Sequence, residues 1–351
     1  MREQNQPLRK KLLFAVWAAL LAIVLALVGG EILTRWLWKH RLEPDDERSL
    51  SYRYDAELGW FPVPNGSNRF MGSRAITVQH NGDGFRDPPH GPKQKKRIAF
   101  VGDSFVWGYD AEQAERFTDR LQARLADWEV LNLGVSGYAT DQEFLLLQRW
   151  FDHYQPDIVI LIYCDNDVEE NRLNIVYDGY YKPYFEQIDG KLVKQGVPVP
   201  KSAYYYRKEH PLLFKSRMVE MLCAQYCEHS APLHVTRSNP TLALILSMKA
   251  FVEARGARFL IGFVTDLQPA KKQAFCAAGK IDYLFLLDPS FATWDYLYRS
   301  QGHHWTPAGH DRVCARLLEY LEANHFFQGG TSAGTNSAHQ LASPLEGLSS
   351  R

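Results

Sequence analysis

Five short apolar runs, at 97–101, 130–133, 158–163, 258–264 and 283–287, each lie next to a stretch whose apolar residues recur at helical spacing. Runs this short suit strands buried on both faces, and the helices between them need a sheet to cover. The pattern predicts an α/β chain with a doubly wound parallel sheet of about five strands, whose ligand crevice opens at the strands' carboxyl ends. Helices are expected at 111–126, 141–154, 241–254 and 307–323. Thr306 before Pro307 offers the last of these an N-cap hydroxyl and a first-turn proline, and Gly256 offers the third a stop.

The N-terminus obeys a different constraint. Residues 12–30 carry no charge, and 11 of these 19 are Leu, Ile, Val or Phe. As a helix the stretch is about 28 Å long, enough to cross the hydrocarbon of a bilayer. Arg2, Arg9, Lys10 and Lys11 precede it, whereas Arg35, Lys39 and Arg41 after it give way to Glu43, Asp45 and Asp46. This bias predicts a cytoplasmic N-terminus at 1–11, a signal anchor at 12–34 in contact with the lipid bilayer, and the rest of the chain outside the cytoplasm. A cleaved signal peptide, with Val28 and Gly30 as the small residues before the cut, is the competing reading, and the apolar region is long for one.

Forty basic residues balance forty acidic ones, so no charge excess argues for a nucleic-acid partner. The five cysteines have no C-x-x-C spacing, and no structural metal is expected. Cys223 and Cys227, four apart on a helix-like stretch, are poorly aimed at each other, which favours free thiols over a disulfide.

Residues 35–95 are expected to be a linker and a lead-in of turns and short strands, containing Leu58-Gly59-Trp60 and Asn81-Gly82-Asp83-Gly84-Phe85-Arg86. An α/β domain at 96–327 follows. Its alternation breaks at 171–240, an insertion with a β-hairpin turning at Asp189-Gly190 that either overhangs the strand ends and shapes a substrate site or is a packed decoration. The tail at 328–351 is poor in apolar residues and is expected to be disordered.

Four blocks fall where the crevice should be. The first strand runs into Gly102-Asp103-Ser104, placing a hydroxyl at a strand's carboxyl end. The second ends near Gly137, where the lack of a side chain lets a backbone N–H approach a reacting carbonyl. The third ends near Asn166, whose amide can donate to an oxyanion or cap the next helix. The last is Gly302-His303-His304-Trp305-Thr306-Pro307-Ala308-Gly309-His310. A histidine there can serve as base for Ser104, with His303 and His304 as candidates and His310 structural within the first helical turn. No carboxylate or thiol stands at ligand spacing beside these histidines, so no metal is expected.

Taken together, the blocks resemble the SGNH or GDSL hydrolase superfamily, in its branch of bacterial membrane-anchored members, over roughly 97–322. The resemblance implies a flavodoxin-like sheet, no cofactor, Ser104 as nucleophile, His304 as base with His303 as the alternative, and Ser104, Gly137 and Asn166 as the oxyanion hole. The Leu-Gly-Trp and Asn-x-x-Gly-Phe-Arg stretches are similar to the lead-in of such proteins. Two positions depart from the family pattern. Cys164 replaces a glycine, and Ser300, Gln301 and Gly302 stand where an Asp normally precedes the histidine. Asp288 or Asp295 can supply the acid from the preceding loop, or a backbone carbonyl can orient the ring as in a Ser–His dyad; both arrangements stay open.

The function so implied is ester hydrolysis or O-acyl (acetyl) transfer on an acylated substrate outside the cytoplasm, with a cell-surface polysaccharide as the fitting class for a bacterial inner-membrane protein of single pass. The missing Asp motivates the alternative, a catalytically degenerate glycan-binding or assembly component of the same fold.

Overall fold

The structure, a computed structural model, describes residues 6–39, 42, 51–177, 179–287, 296–298 and 303–327. Asp288, Asp295 and the tail at 328–351 lie outside these residues. One unbroken helix, Gln6–Leu37, comes first. From Arg9 to Leu37 it is long and apolar enough to cross a membrane, with mean hydropathy 2.8 and none of its most apolar window buried. Two antiparallel hairpins follow, β1 (Tyr52–Asp55) with β2 (Gly59–Pro62) and β3 (Ser67–Met71) with β4 (Ala75–Gln79).

The sheet domain is built on β5 (Lys96–Gly102), β6 (Trp128–Asn132) and β7 (Ile158–Tyr163). The insertion carries β8 (Ile175–Val176), β9 (Tyr180–Tyr181), β10 (Tyr184–Ile188) and β11 (Lys191–Gln195); β12 (Arg258–Phe263) and β13 (Asp282–Phe285) then complete the domain. The central sheet has five strands, all parallel, in the order β13-β12-β7-β5-β6. Counted along the chain this is the flavodoxin-like order 2-1-3-4-5, so the expected fold class holds. The order reverses between β5 and β7, and a crevice opens where the connections of these two neighbours leave to opposite sides.

Strands β5, β7 and β12 are buried on both faces, which is why their sequences read as continuous apolar runs. Ala99 and Val101 of β5 join one core with Val159 and Leu161 of β7 and with Leu145, Leu244 and Met248 from helices Thr140–Tyr154 and Thr241–Glu253. Ile98 and Phe100 point the other way, joining Ile160 with Leu121, Val313 and Leu317 from helices Phe117–Arg124 and Pro307–Ala323.

Several local expectations hold. Thr306 accepts from the Gly309 amide at 3.1 Å and Pro307 opens the last helix. Ile188 pairs with Lys191 across Asp189 and Gly190, whose φ angles of 50° and 74° are those of a type I′ turn. Cys223 and Cys227 are free thiols. The helix expected over 111–126 is instead a short 3₁₀ turn, Gln113–Glu115, and then helix Phe117–Arg124, separated by an extended Arg116. The fully buried Arg116 guanidinium donates to the Arg86 carbonyl and to Asp119, and these tertiary bonds outweigh the local preference for one helix.

The insertion is pinned to the sheet domain by a buried Lys182–Asp141 ion pair at the start of helix Thr140–Tyr154. Lys182 also donates to the Glu170, Leu173 and Pro183 carbonyls, so no proton of its ammonium group is stranded in the interior. Where β6 ends, Gly134 lies against the segment that follows β5. A Cβ at this position would overlap the Trp107 amide nitrogen and approach the Val106 side chain to 2.7 Å. Gly134→Ala is therefore expected to cost about 1–3 kcal/mol, read as a lowered melting temperature. An unchanged melting temperature would contradict the close approach.

Candidate active site

Ser104 opens a single helical turn, Ser104–Trp107, directly after β5. Buried Asp103 caps the turn by accepting from the Phe105 amide at 2.9 Å, and burial pushes its carboxyl up to about 7. Gly108 leaves the turn at φ 86°, and the amides of Gly108 and Tyr109 both donate to the Ser104 carbonyl at 3.0 Å. This reversal is held from outside by Arg86. Its buried guanidinium donates to the carbonyls of Gly108 at 2.7 Å, Ala111 at 2.7 Å, Trp107 at 3.3 Å and Thr77 at 3.0 Å. Burial and nearby Arg116 lower its pKa to about 9, which leaves it charged at neutral pH.

His304 reaches the same point from the far end of the chain. Its Nε2 lies 2.8 Å from Ser104 Oγ, across 200 residues of sequence. The loop bearing it is tied by the Tyr298 amide to the His304 carbonyl and by the Thr306 amide to the Tyr296 carbonyl, both at 2.8 Å. The imidazole stacks on Tyr109 at 4.0 Å between centroids with 18° between planes, and Phe105 meets it at 5.1 Å. The turn that presents the serine thus also clasps the histidine. Burial, with a smaller contribution from His303, lowers the His304 pKa to about 4, so the ring is neutral at pH 7 and able to accept a proton. Its buried Nδ1 has no hydrogen-bond partner among the described residues.

The other histidines stand apart. His303 is exposed, with Nδ1 3.2 Å from the Tyr298 carbonyl. His310 is buried and accepts from the Phe117 amide at 3.3 Å, the structural role expected of it. Both candidate acids, Asp288 and Asp295, fall outside the described residues.

Gly137 has φ 77°, a conformation that favours glycine, and its loop is braced by the lead-in. The Ser136 amide donates to the Tyr52 hydroxyl at 3.2 Å, Trp60 Nε1 donates to the Ser136 carbonyl at 3.3 Å, and the Tyr138 hydroxyl donates to the Trp60 carbonyl. Asn166 is exposed after β7, and its amide donates to Glu170 at 3.1 Å rather than capping the following turn. Behind these loops lie Glu143, with both carboxyl oxygens lacking a hydrogen-bond partner among the described residues, and Asp167, which accepts from Thr140 at 2.6 Å. Burial raises both acids well above the carboxylate range, aided by repulsion from Asp167 on Glu143 and from Asp103 on Asp167.

The sequence reading missed the clasp by Phe105 and Tyr109, the Arg86 clamp and the Glu143–Asp167 pair. For Arg86 a signal existed in Asn-x-x-Gly-Phe-Arg, since Asn81 Oδ1 accepts from the Asp83 and Phe85 amides at 3.0 Å and so aims the arginine inward. A buried carboxyl without a partner, such as that of Glu143, has no counterpart in hydrophobic patterning.

Residues 100–230 match the GDSL-like Lipase/Acylhydrolase family, a segment holding Ser104, Gly137 and Asn166 but not His304. This match over part of the chain to a GDSL-like lipase/acylhydrolase domain supports a hydrolase function. Among solved structures the chain is similar to TesA, at 16% identity and TM-score 0.41 over 65% of this chain and 99% of that one. It is also similar to a lipolytic protein of the G-D-S-L family from Veillonella parvula, at 12% identity and TM-score 0.39 over 64% and 97%. A GDSL-like lipase from Bacteroides thetaiotaomicron matches at 15% identity and TM-score 0.38 over 67% and 92%. The fold assignment rests on the strand order above and not on these scores. A search of curated proteins finds no match.

Because Tyr109 covers one face of the imidazole, Tyr109→Ala should hydrate the ring and raise its pKa from about 4 toward the ordinary value, whereas Tyr109→Phe should leave it in place. Titration of the His304 ring protons by NMR reads this directly. Identical titrations for wild type and Tyr109→Ala would remove Tyr109 from the clasp.

Proposed function

We propose that the protein is a serine-dependent ester hydrolase or O-acyltransferase that acts outside the cytoplasm on an acylated cell-surface glycan. The observation that supports it best is the 2.8 Å contact between Ser104 Oγ and a neutral His304 Nε2 at the switch point of the sheet. In the first half-reaction Ser104 Oγ attacks the ester carbonyl as His304 Nε2 takes its proton. The oxyanion receives hydrogen bonds from the Ser104 and Gly137 backbone amides and from the second N–H of the Asn166 amide, each such donor being worth about 3 kcal/mol. The C–O bond then breaks, the leaving alkoxide takes the proton from His304, and the acyl group stays on Ser104. Water completes hydrolysis, or a sugar hydroxyl completes transfer, with His304 accepting the incoming proton. The glycan and the extracytoplasmic setting draw on the N-terminal helix and its charge bias, with residues 12–34 as a single-pass anchor of the bacterial inner membrane.

That His304 Nδ1 has no hydrogen-bond partner among the described residues favours one second reading, a binding component that retains the fold without turnover. Release of p-nitrophenol from its acetate ester by the full-length protein in detergent, compared with Ser104→Ala, separates the two. The enzyme reading expects loss of at least about 100-fold in the variant, and equal rates would establish the binding reading. The pH profile reports the third member. A His304 pKa lowered to about 4 keeps the base unprotonated down to that pH, so kcat/KM should stay level from pH 8 to below pH 6 and fall only near pH 4. A half-point between pH 6 and 7 would instead signal a carboxylate at Nδ1, with Asp288 and Asp295 the residues to substitute.

A further inference from the structure

We propose that the insertion rests on the lipid bilayer through Leu212 and Leu213, held there by a rigid dock between the anchor helix and helix Arg217–Ser230. The proposal rests on the reading of residues 12–34 as a membrane anchor. Near the end of its uncharged stretch that helix carries Glu31, whose carboxylate accepts from the Ser216 hydroxyl at 2.7 Å, the Arg217 amide at 2.9 Å and the Met218 amide at 3.1 Å. These donors form the N-terminus of helix Arg217–Ser230, where a carboxylate satisfies otherwise orphaned amides.

Further bonds make the dock a surface. Arg35 bridges Glu31 at 2.7 Å and the Lys215 carbonyl at 3.1 Å, and Arg217 donates to the Trp38 carbonyl at 3.2 Å while lying 4.9 Å over the Trp38 ring. The Leu42 amide donates to buried Glu220 at 2.6 Å. Gly30 approaches so closely that a Cβ there would lie 3.1 Å from Met218 Sδ. With contacts distributed from Gly30 to Leu42, the helix and the domain hold one relative orientation.

That orientation sets the depth of the insertion. If residues 12–30 fill the hydrocarbon, Glu31 and the start of helix Arg217–Ser230 lie at its edge, about 28 Å from Leu12. Leu213 is three residues before Ser216 and so within about 11 Å of that edge. Leu212 and Leu213 are 76% and 60% exposed, although the adjacent Phe214 packs inward against the cluster of Leu42, Tyr181 and Cys227. Two large apolar side chains turned outward beside a membrane helix, next to exposed Lys215 and Lys39, match an interface of acyl chains beneath anionic headgroups. The active site is thereby held at a fixed height and tilt above the membrane.

The test uses the full chain reconstituted in vesicles of equal parts phosphatidylcholine and phosphatidylglycerol, with p-benzoylphenylalanine replacing Leu20, Leu213 or Leu267 in separate samples. Leu267 is 61% exposed on the loop after β12 and serves as the aqueous control. Illumination should yield lipid adducts at 20 and 213 and none at 267, and adding Glu31→Ala should remove most of the adduct at 213 while sparing that at 20. Adducts at 20 without any at 213, or equal labelling at 213 and 267, would overturn the bilayer contact. Retention of the full 213 adduct in Glu31→Ala would overturn the dock, and absence of adducts at 20 would overturn the anchor reading together with this one.

Discussion

The hydrogen bond between Ser104 and His304 joins residues 200 apart in the chain, so it forms only if the whole sheet is assembled and both loops are held still. The turn after β5 meets much of that demand alone. It points the serine hydroxyl outward, reverses at Gly108 and brings Phe105 and Tyr109 against the histidine ring. A neutral imidazole buried against two aromatic rings loses rotational freedom to that packing, and among the described residues no carboxylate meets its other nitrogen. Its lowered basicity is the electrostatic cost of that arrangement, because the same burial disfavours the imidazolium formed during proton transfer.

Around this contact the polypeptide before β5 serves as scaffolding. Arg86 gathers the carbonyls left open by the reversal at Gly108, and Tyr52 with Trp60 grips the backbone at Ser136 beside Gly137. These are hydrogen bonds to backbone groups that would otherwise be buried unsatisfied, so removing either support would strand polar atoms in the interior. The hairpins of residues 52–79 therefore belong functionally with the sheet, although they lie outside the α/β alternation.

Much of this was legible in the sequence. The inner strands β5, β7 and β12 could be read because strands buried on both faces must be apolar throughout, and the turn at Asp189-Gly190 because type I′ geometry selects that pair. Ser104 could be found from its position after β5, and the family pattern pointed to His304, whereas residue spacing alone left His303 open because adjacent residues differ only in which way the loop turns them. The helix expected across Arg116 failed for a tertiary reason, since that side chain is bound to the Arg86 carbonyl 30 residues away, which no local propensity encodes. The clasp on His304 was equally hidden, for Phe105 and Tyr109 look like ordinary core aromatics until a residue from the far end of the chain packs against them.

The central claim is that one hydroxyl is activated by one neutral imidazole. Reaction of the full-length protein with a fluorophosphonate, followed by peptide mapping by mass spectrometry, tests it most directly. The account predicts a covalent adduct on Ser104 that forms in the wild type and is lost in His304→Ala. An adduct on a different residue, or equal labelling of Ser104 with and without His304, would contradict it.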